Sequence, residues 1–256
     1  MLNKTVSLIF FAIILSFISS CNKDEKEDKT LNVVMQNSIL GCVSNDSLTE
    51  GFQYEIIKEF ADSFGYQLNI TVADNLEIAI QQFNKNKNDI LAYALPTTAS
   101  MKEKLTFTVP LYTTKLVLIQ KKRSKKDKNL LAKNISDLEE KTVCVPEHFS
   151  YIKQLQYITE ESGIEFKIRI KNQSIEKLAE QVVTQKIEYF ATSEMTAKYL
   201  CNIYQDLDYS MSLGLNQFMA WGINPKNQQL NEKINNFLEN FVKSEKYRHI
   251  FRKYFS

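Results

Sequence analysis

The chain has 256 residues, 44% of them hydrophobic and 24% charged, which is ordinary globular composition with enough apolar material for a sizeable core. Its 32 Lys and Arg against 30 Asp and Glu leave a formal charge of +2, and this excludes a nucleic-acid protein built on a concentrated basic face. The one basic run, Lys121-Lys122-Arg123-Ser124-Lys125-Lys126, has no interleaved aromatic residues and reads as a solvated loop.

Met1-Leu2-Asn3-Lys4 is a positively charged start, and the apolar run from Val6 to Ile18 is shorter than a membrane span requires. Residues 1–20 are therefore predicted to be a signal peptide. The run closes in Ile18-Ser19-Ser20-Cys21, which resembles the lipobox of bacterial lipoproteins, in which a cysteine after small residues is lipidated and becomes the new N-terminus. An uncleaved anchor with an incidental cysteine is the other reading. Residues 22–30 are charged with nothing to bury, so 21–30 are expected to form a lipidated, flexible tether. With Cys21 lipidated, Cys42, Cys144 and Cys201 remain, and at least one of them must be unpaired. Their spacing matches no metal motif. Cys144, inside the apolar run Thr142-Val143-Cys144-Val145, is expected to be a buried structural thiol.

Leu31 to Met35 predicts a strand, and Gly51 to Ala61 has apolar residues at helical spacing, closing near Phe64-Gly65. Gln67 to Val72 alternates as a strand, Asn75 to Asn84 is helical with Leu76, Ile80 and Phe83 on one face, and Asp89 to Ala94 is a third strand. It leads into the turn Ala94-Leu95-Pro96-Thr97-Thr98-Ala99-Ser100-Met101. The pattern restarts at Asp137 with a helical turn and the strand Thr142 to Val145. A helix from Ser150 to Glu161, a strand from Phe166 to Ile170, a helix from Ile175 to Thr184 and a strand from Glu188 to Thr192 follow. Phe218 to Ile223 is an apolar strand. Leu230 to Val242 is amphipathic, with Leu230, Ile234, Phe237, Leu238 and Phe241 inward, and a last helix runs from Tyr247 to Tyr254. Alternation of this kind predicts parallel α/β sheets in two lobes, with ligands beyond the carboxyl ends of the strands.

From Leu31 to Phe255 the residues resemble the family 3 extracytoplasmic solute-binding proteins. The matching pieces are Gly51-Phe52-x-Tyr54-Glu55, Asn88-Asp89-Ile90, Phe107-Thr108-x-Pro110-x-Tyr112, Ile135-Ser136-Asp137-Leu138-x-x-Lys141-Thr142-Val143 and Tyr247-Arg248-x-Ile250-Phe251-x-Lys253-Tyr254-Phe255. Pro110 to Thr114 and Gln217 to Trp221 are similar to the solute-binding half of membrane-bound lytic transglycosylases. Those enzymes carry a further lysozyme-like domain, whereas this sequence stops at Ser256, so no catalytic residues and no glycan cleavage are expected. The resemblance implies a bilobal, periplasmic-binding-protein type II (Venus flytrap) fold, two α/β lobes joined by two crossing hinge segments. Lobe 1 is expected over 31–118 plus 217–256, and lobe 2 over 119–216.

Amino-acid binders of this family usually place an arginine at the position of Met101, where it pairs with the ligand carboxylate, and an aspartate at the position of Ser193 for the ammonium group. Both charged groups are absent here. The hydroxyl of Thr98 is kept. Lys102 and Lys104 stand nearby but on positions that helical geometry turns away from the cleft. Glu194 either substitutes for the aspartate or caps a helix. Ser150 precedes a helix, so it either caps that helix or holds an anionic or carbonyl group with the free amides of the first turn. Tyr151 and His148 flank it, and Trp221 reads as core beside Phe218. The expected ligand-binding set is thus Thr98, Met101, Ser150, Tyr151, Ser193 and Glu194, with no metal and no cofactor. The function implied is lipid-anchored capture of a small solute, an amino-acid derivative or a cell-wall peptide. The alternative is a non-catalytic sensory or interaction module for peptidoglycan or an envelope partner. Expected partners are the solute, a membrane through the lipid, and an ABC permease or peptidoglycan. The protein is expected as a monomer in the cell envelope, on the outer or cytoplasmic membrane, facing the periplasm or the cell surface.

Overall fold

The computed structural model describes residues 29–44, 48–85, 88–122, 131–147 and 151–255. The expected leader, Cys21 and most of the tether lie outside them, as do His148 and Ser150. In the first strand, β1 (Thr30–Gln36), Leu31 and the consecutive Val33, Val34 and Met35 are all buried, because both faces of its sheet are covered. A short hairpin, β2 (Val43–Ser44) with β3 (Thr49–Glu50), leads to α1 (Phe52–Phe64). Its buried residues Phe52, Ile56, Ile57, Phe60 and Ala61 form one stripe, and Gly65 closes it in the left-handed region, its N–H donating to the Ala61 carbonyl. Gly51, just before α1, has φ 145, and a side chain there would strike the Gly41 backbone. That close approach holds the loop after β1 against the start of α1.

The chain continues through β4 (Gln67–Ala73), α2 (Leu76–Lys85), β5 (Ile90–Pro96), the single turn α3 (Ala99–Lys102), β6 (Thr106–Phe107) and β7 (Tyr112–Thr114). It crosses at Lys115 into β8 (Leu116–Lys121) and a capped 3-10 turn over Ile135–Leu138. Next come β9 (Thr142–Pro146), α4 (Ile152–Ser162), β10 (Lys167–Lys171), α5 (Ile175–Val183), β11 (Tyr189–Ser193), α6 (Glu194–Ile203) and β12 (Leu207–Ser212). Residues 213–216 cross back to β13 (Gln217–Ile223), and α7 (Gln228–Phe241) and α8 (Glu245–Phe255) follow. Among the described residues no helix is long and apolar enough to cross a membrane.

Two mixed sheets result. The first has the order β4-β1-β5-β13-β6, with β7 also on β13, and the second β10-β9-β11-β8-β12. β1, β4 and β5 are parallel, as are β9, β10 and β11. The departure from the all-parallel expectation is confined to strands beside the crossings. β13 runs against β5, and β8 against β11 and β12, because these strands enter from the other lobe without an intervening crossover helix.

In the first lobe Phe52 is the centre of the core, meeting Tyr112, Tyr247, Phe251, Tyr254 and Phe255 edge-on at 4.8–6.3 Å between ring centroids. Trp221 is fully buried, and its indole N–H donates to Gln53 Oε1. Phe218, expected beside Trp221, is 59% exposed instead, since strand alternation sends it to the face opposite Met219 and Trp221. Cys42 and Cys144 are buried free thiols, and Cys201 is a half-buried one.

Candidate functional site

Loops and helix starts at the carboxyl ends of both sets of parallel strands enclose one cleft of about 550 Å³. Asn37 and Asp74 follow β1 and β4 on one side, and Glu147 and Gln173 lie beyond β9 and β10 on the other. A wider open hollow of about 840 Å³ between α1 and α7, lined by Phe64 and Phe237, lies away from every strand end.

The floor of the cleft is aromatic. Tyr151, at the start of α4, reaches across the lobes and donates its hydroxyl to the Met219 sulfur of β13 at 3.8 Å. Gln53, buried under the first lobe, accepts the Trp221 indole N–H and is also hydrogen-bonded to the Tyr112 hydroxyl. Burial pushes the Tyr151 phenol up to about 12. Burial also raises Tyr112, with the nearby Tyr151 and Tyr247 adding to the shift, and raises Tyr93, with the Asp74 carboxylate adding to it. All three rings therefore stay neutral at ordinary pH and offer hydroxyls and π faces, not general bases.

The second lobe supplies a polar wall. Ser174 Oγ accepts the Lys177 N–H at 3.3 Å to cap α5, and Ser193 Oγ accepts the Thr196 N–H at 3.1 Å to cap α6. Thr192, at the end of β11, is only 3% exposed and lines the cleft with its hydroxyl unpaired among the described residues. Asp74, Glu147 and Glu176 are the acidic residues of the lining, and no Lys, Arg or His is among the described lining residues. No group of three His, Cys, Asp or Glu among the described residues is placed to hold a metal ion.

Of the residues singled out from sequence, Tyr151 and Ser193 line this cleft together. Glu194 stands one step outside it, its N–H donating to the Lys115 carbonyl at 2.8 Å, so it ties α6 to the first crossing. The Met195 N–H makes a similar bond to Thr114 Oγ1 at 3.4 Å. Thr98 caps α3 by accepting the Met101 N–H at 3.4 Å, and the Met101 side chain packs on the apolar cluster of Phe83, Tyr93 and Leu105. Neither Thr98 nor Met101 is a lining residue. Applied to β5, the strand-end rule points at the Thr98 turn. Carried to the ends of β1, β4, β9 and β10, the same rule points at Asn37, Asp74, Glu147 and Gln173.

Comparison with known proteins agrees with this geometry. The family model for bacterial extracellular solute-binding proteins, family 3, matches residues 32–256. A membrane-bound lytic murein transglycosylase F of Pseudomonas fluorescens strain Pf-5 is 35% identical over 121 residues, covering 46% of this chain and 25% of that protein. Its namesake in Aeromonas salmonicida is 26% identical over 179 residues, or 70% of this chain and 35% of that one. The matches thus span only a quarter to about a third of those relatives. Among solved structures, the binding component of an ABC transporter from Wolinella succinogenes, complexed with lysine, superposes with a TM-score of 0.72 at 18% identity, over 88% of this chain and 95% of that one. An ancestral arginine-binding protein bound to arginine gives 0.71 at 18% identity, over 89% and 98%. At such identities the likeness concerns the fold.

Proposed function

The chain belongs to the bacterial extracellular solute-binding proteins, family 3, and from that premise we propose that it captures a small solute between its lobes while a lipid on Cys21 holds it at the cell envelope. The observation that carries this reading is a cleft lined from both sheets at the carboxyl ends of their parallel strands. Tyr151 and Ser193 are the contacts we assign from the described residues, and Ser150, the residue before Tyr151 in the sequence, is a further candidate contact that lies outside them; Thr98, Met101 and Glu194 act from behind, through the α3 turn and the α6 hinge contact. The crossings at Lys115 and 213–216 are the hinge, and closure of the second lobe over the first desolvates the solute against Tyr112 and Tyr151. The solute is an amino-acid derivative or a short cell-wall peptide, handed on to a permease. Solved relatives that hold lysine and arginine support the general class.

Trp221, the sole tryptophan, is hydrogen-bonded to the cleft residue Gln53 and so reports on closure. Protein purified from its own host should retain a solute detectable by native mass spectrometry, and adding that solute back to stripped protein should change Trp221 emission. No retained mass and no change in emission with host extract would remove the solute-capture reading. Cys21→Ala should release the protein from membranes. The partial likeness to murein transglycosylases favours one second reading, a non-catalytic module that recognises peptidoglycan, and sedimentation with purified sacculi in place of solute binding would select it.

A further inference from the structure

We infer that the cleft is built for a small organic cation that carries no free carboxylate, an inference that rests on the solute-binding reading and narrows it. Charge comes first. Asp74 in the first lobe and Glu147 and Glu176 in the second are the only residues of ordinary formal charge in the described lining, and all three are acidic. They come from separate elements, so closure gathers them around whatever the cleft holds. The Glu147 and Glu176 carboxylates have no hydrogen-bond or ion-pair partner among the described residues, and the Asp74 carboxylate accepts only from the Asn37 amide at 2.9 Å. Like charges brought together without a counter-ion repel, and a bound cation relieves that repulsion. A ligand carboxylate would enter the same space with no Lys or Arg among the described lining residues to meet it.

A second, independent observation points to the ligand itself. Thr192, a residue only 3% exposed, and Tyr93, 9% exposed, both line the cleft, and neither hydroxyl has a hydrogen-bond partner among the described residues. Side chains this deep in a protein normally hydrogen-bond, so these two hydroxyls, unpaired and open to the cleft, are available to the N–H or O–H groups of a solute. The rest of the floor suits the body of an organic cation. Tyr93, Tyr112 and Tyr151 present π faces, which attract ammonium groups, and Met195 and Met219 present polarizable sulfur.

Helix N-termini also open on the cleft, and their partial positive charge favours anions. Here that tendency is offset. Ser174 and Ser193 occupy first-turn amides with their own hydroxyls, and each helix carries an acid in its first turn, Glu176 in α5 and Glu194 in α6. Met101, on the α3 turn, is an apolar residue packed away from the lining and offers a carboxylate nothing.

Calorimetric titration of the stripped protein with choline, putrescine, lysine amide, lysine, glutarate and glucose tests the inference. Lysine amide should bind at least about tenfold more tightly than lysine, since the two differ in the carboxylate alone. Glu147→Gln and Glu176→Gln, both on solvent-accessible residues, should each weaken the amine ligands about tenfold, the effect of one lost charged contact of roughly 1.4 kcal/mol. Added salt should weaken them further. Thermal melts of both variants should match the parent, which separates lost binding from lost folding. Equal or tighter binding of lysine, or binding of glucose or glutarate that the two variants leave unchanged, overturns the cation inference while leaving solute capture standing. Binding of no compound in the panel, together with no response to host extract, overturns both.

Discussion

In the first lobe Phe52 is ringed by five aromatic side chains, four of them from near the end of the chain, whereas the second lobe packs mainly aliphatic residues from one continuous stretch on either face of its sheet. The joins differ too. Tyr254 of α8 accepts the Gly51 N–H at 3.0 Å and donates to Glu55, and the Tyr247 hydroxyl donates to the Leu111 carbonyl at 2.8 Å, so helix α8 seals the start of α1. The second lobe needs no such return, because β8 to β12 find their partners within it. The contrast teaches that the first lobe depends on a few large rings placed by distant segments, and the second on many small contacts between near neighbours.

The sharpest way to break this comparison is Phe52→Ala. It empties the centre of the aromatic ring set and should cost about 3–5 kcal/mol in urea denaturation, against about 2–5 kcal/mol for the aliphatic Leu118→Ala on β8, with the larger loss in the first lobe. Equal losses would show that the aromatic centre is not special.

Alkaline pH should separate the lobes next. Burial raises the phenols of Tyr93, Tyr112, Tyr247 and Tyr254 in the first lobe, Tyr254 to about 12 from an ordinary 10.0. A phenol whose folded value exceeds its unfolded value keeps its full contribution below about pH 10 and loses it as pH rises toward 12, because the unfolded chain releases the proton first. In the second lobe the cleft residue Tyr151 is the buried phenol raised as far. Near-ultraviolet dichroism followed with an amide-exchange map should therefore show the first lobe loosening before the second above about pH 10. Simultaneous loosening would contradict the assignment.

The smallest effect belongs to Ser174→Ala. Removing this cap of α5 should cost about 1 kcal/mol, confined to the second lobe. The same variant should leave Trp221 emission of the solute-free protein unchanged, since Trp221 sits in the other core.

Much of the framework was legible because it rests on local spacing. The α1 stripe, its Gly65 stop and the strand after it fall where the periodicity places them. Besides the two- and three-residue strands β2, β3, β6 and β7, three longer pieces are not legible there. β8 is a short apolar run, which periodicity does not distinguish from a piece of buried helix; β12, Leu207-Asp208-Tyr209-Ser210-Met211-Ser212, is polar enough to pass for a loop; α6 begins at a Ser193 already read as a ligand position. In the cleft, Tyr151 and Ser193 were named by likeness to a family pattern. Asp74, Glu147 and Thr192 were not, because each carries a residue type common on any surface and becomes notable only when the other lobe is brought opposite.

What the sequence determined by itself is the alternation of strands and helices, their glycine and serine stops, and membership of a two-lobed class, all properties of neighbours a few residues apart. What only the tertiary structure decided is the antiparallel course of β8 and β13, the sealing of Phe52 by α8, and the acidic, aromatic character of the cleft. The reason is physical. Strand direction after a crossing and the sign of a cavity's charge are set by groups far apart in the chain, and local propensity carries no record of which distant side chains will share one space.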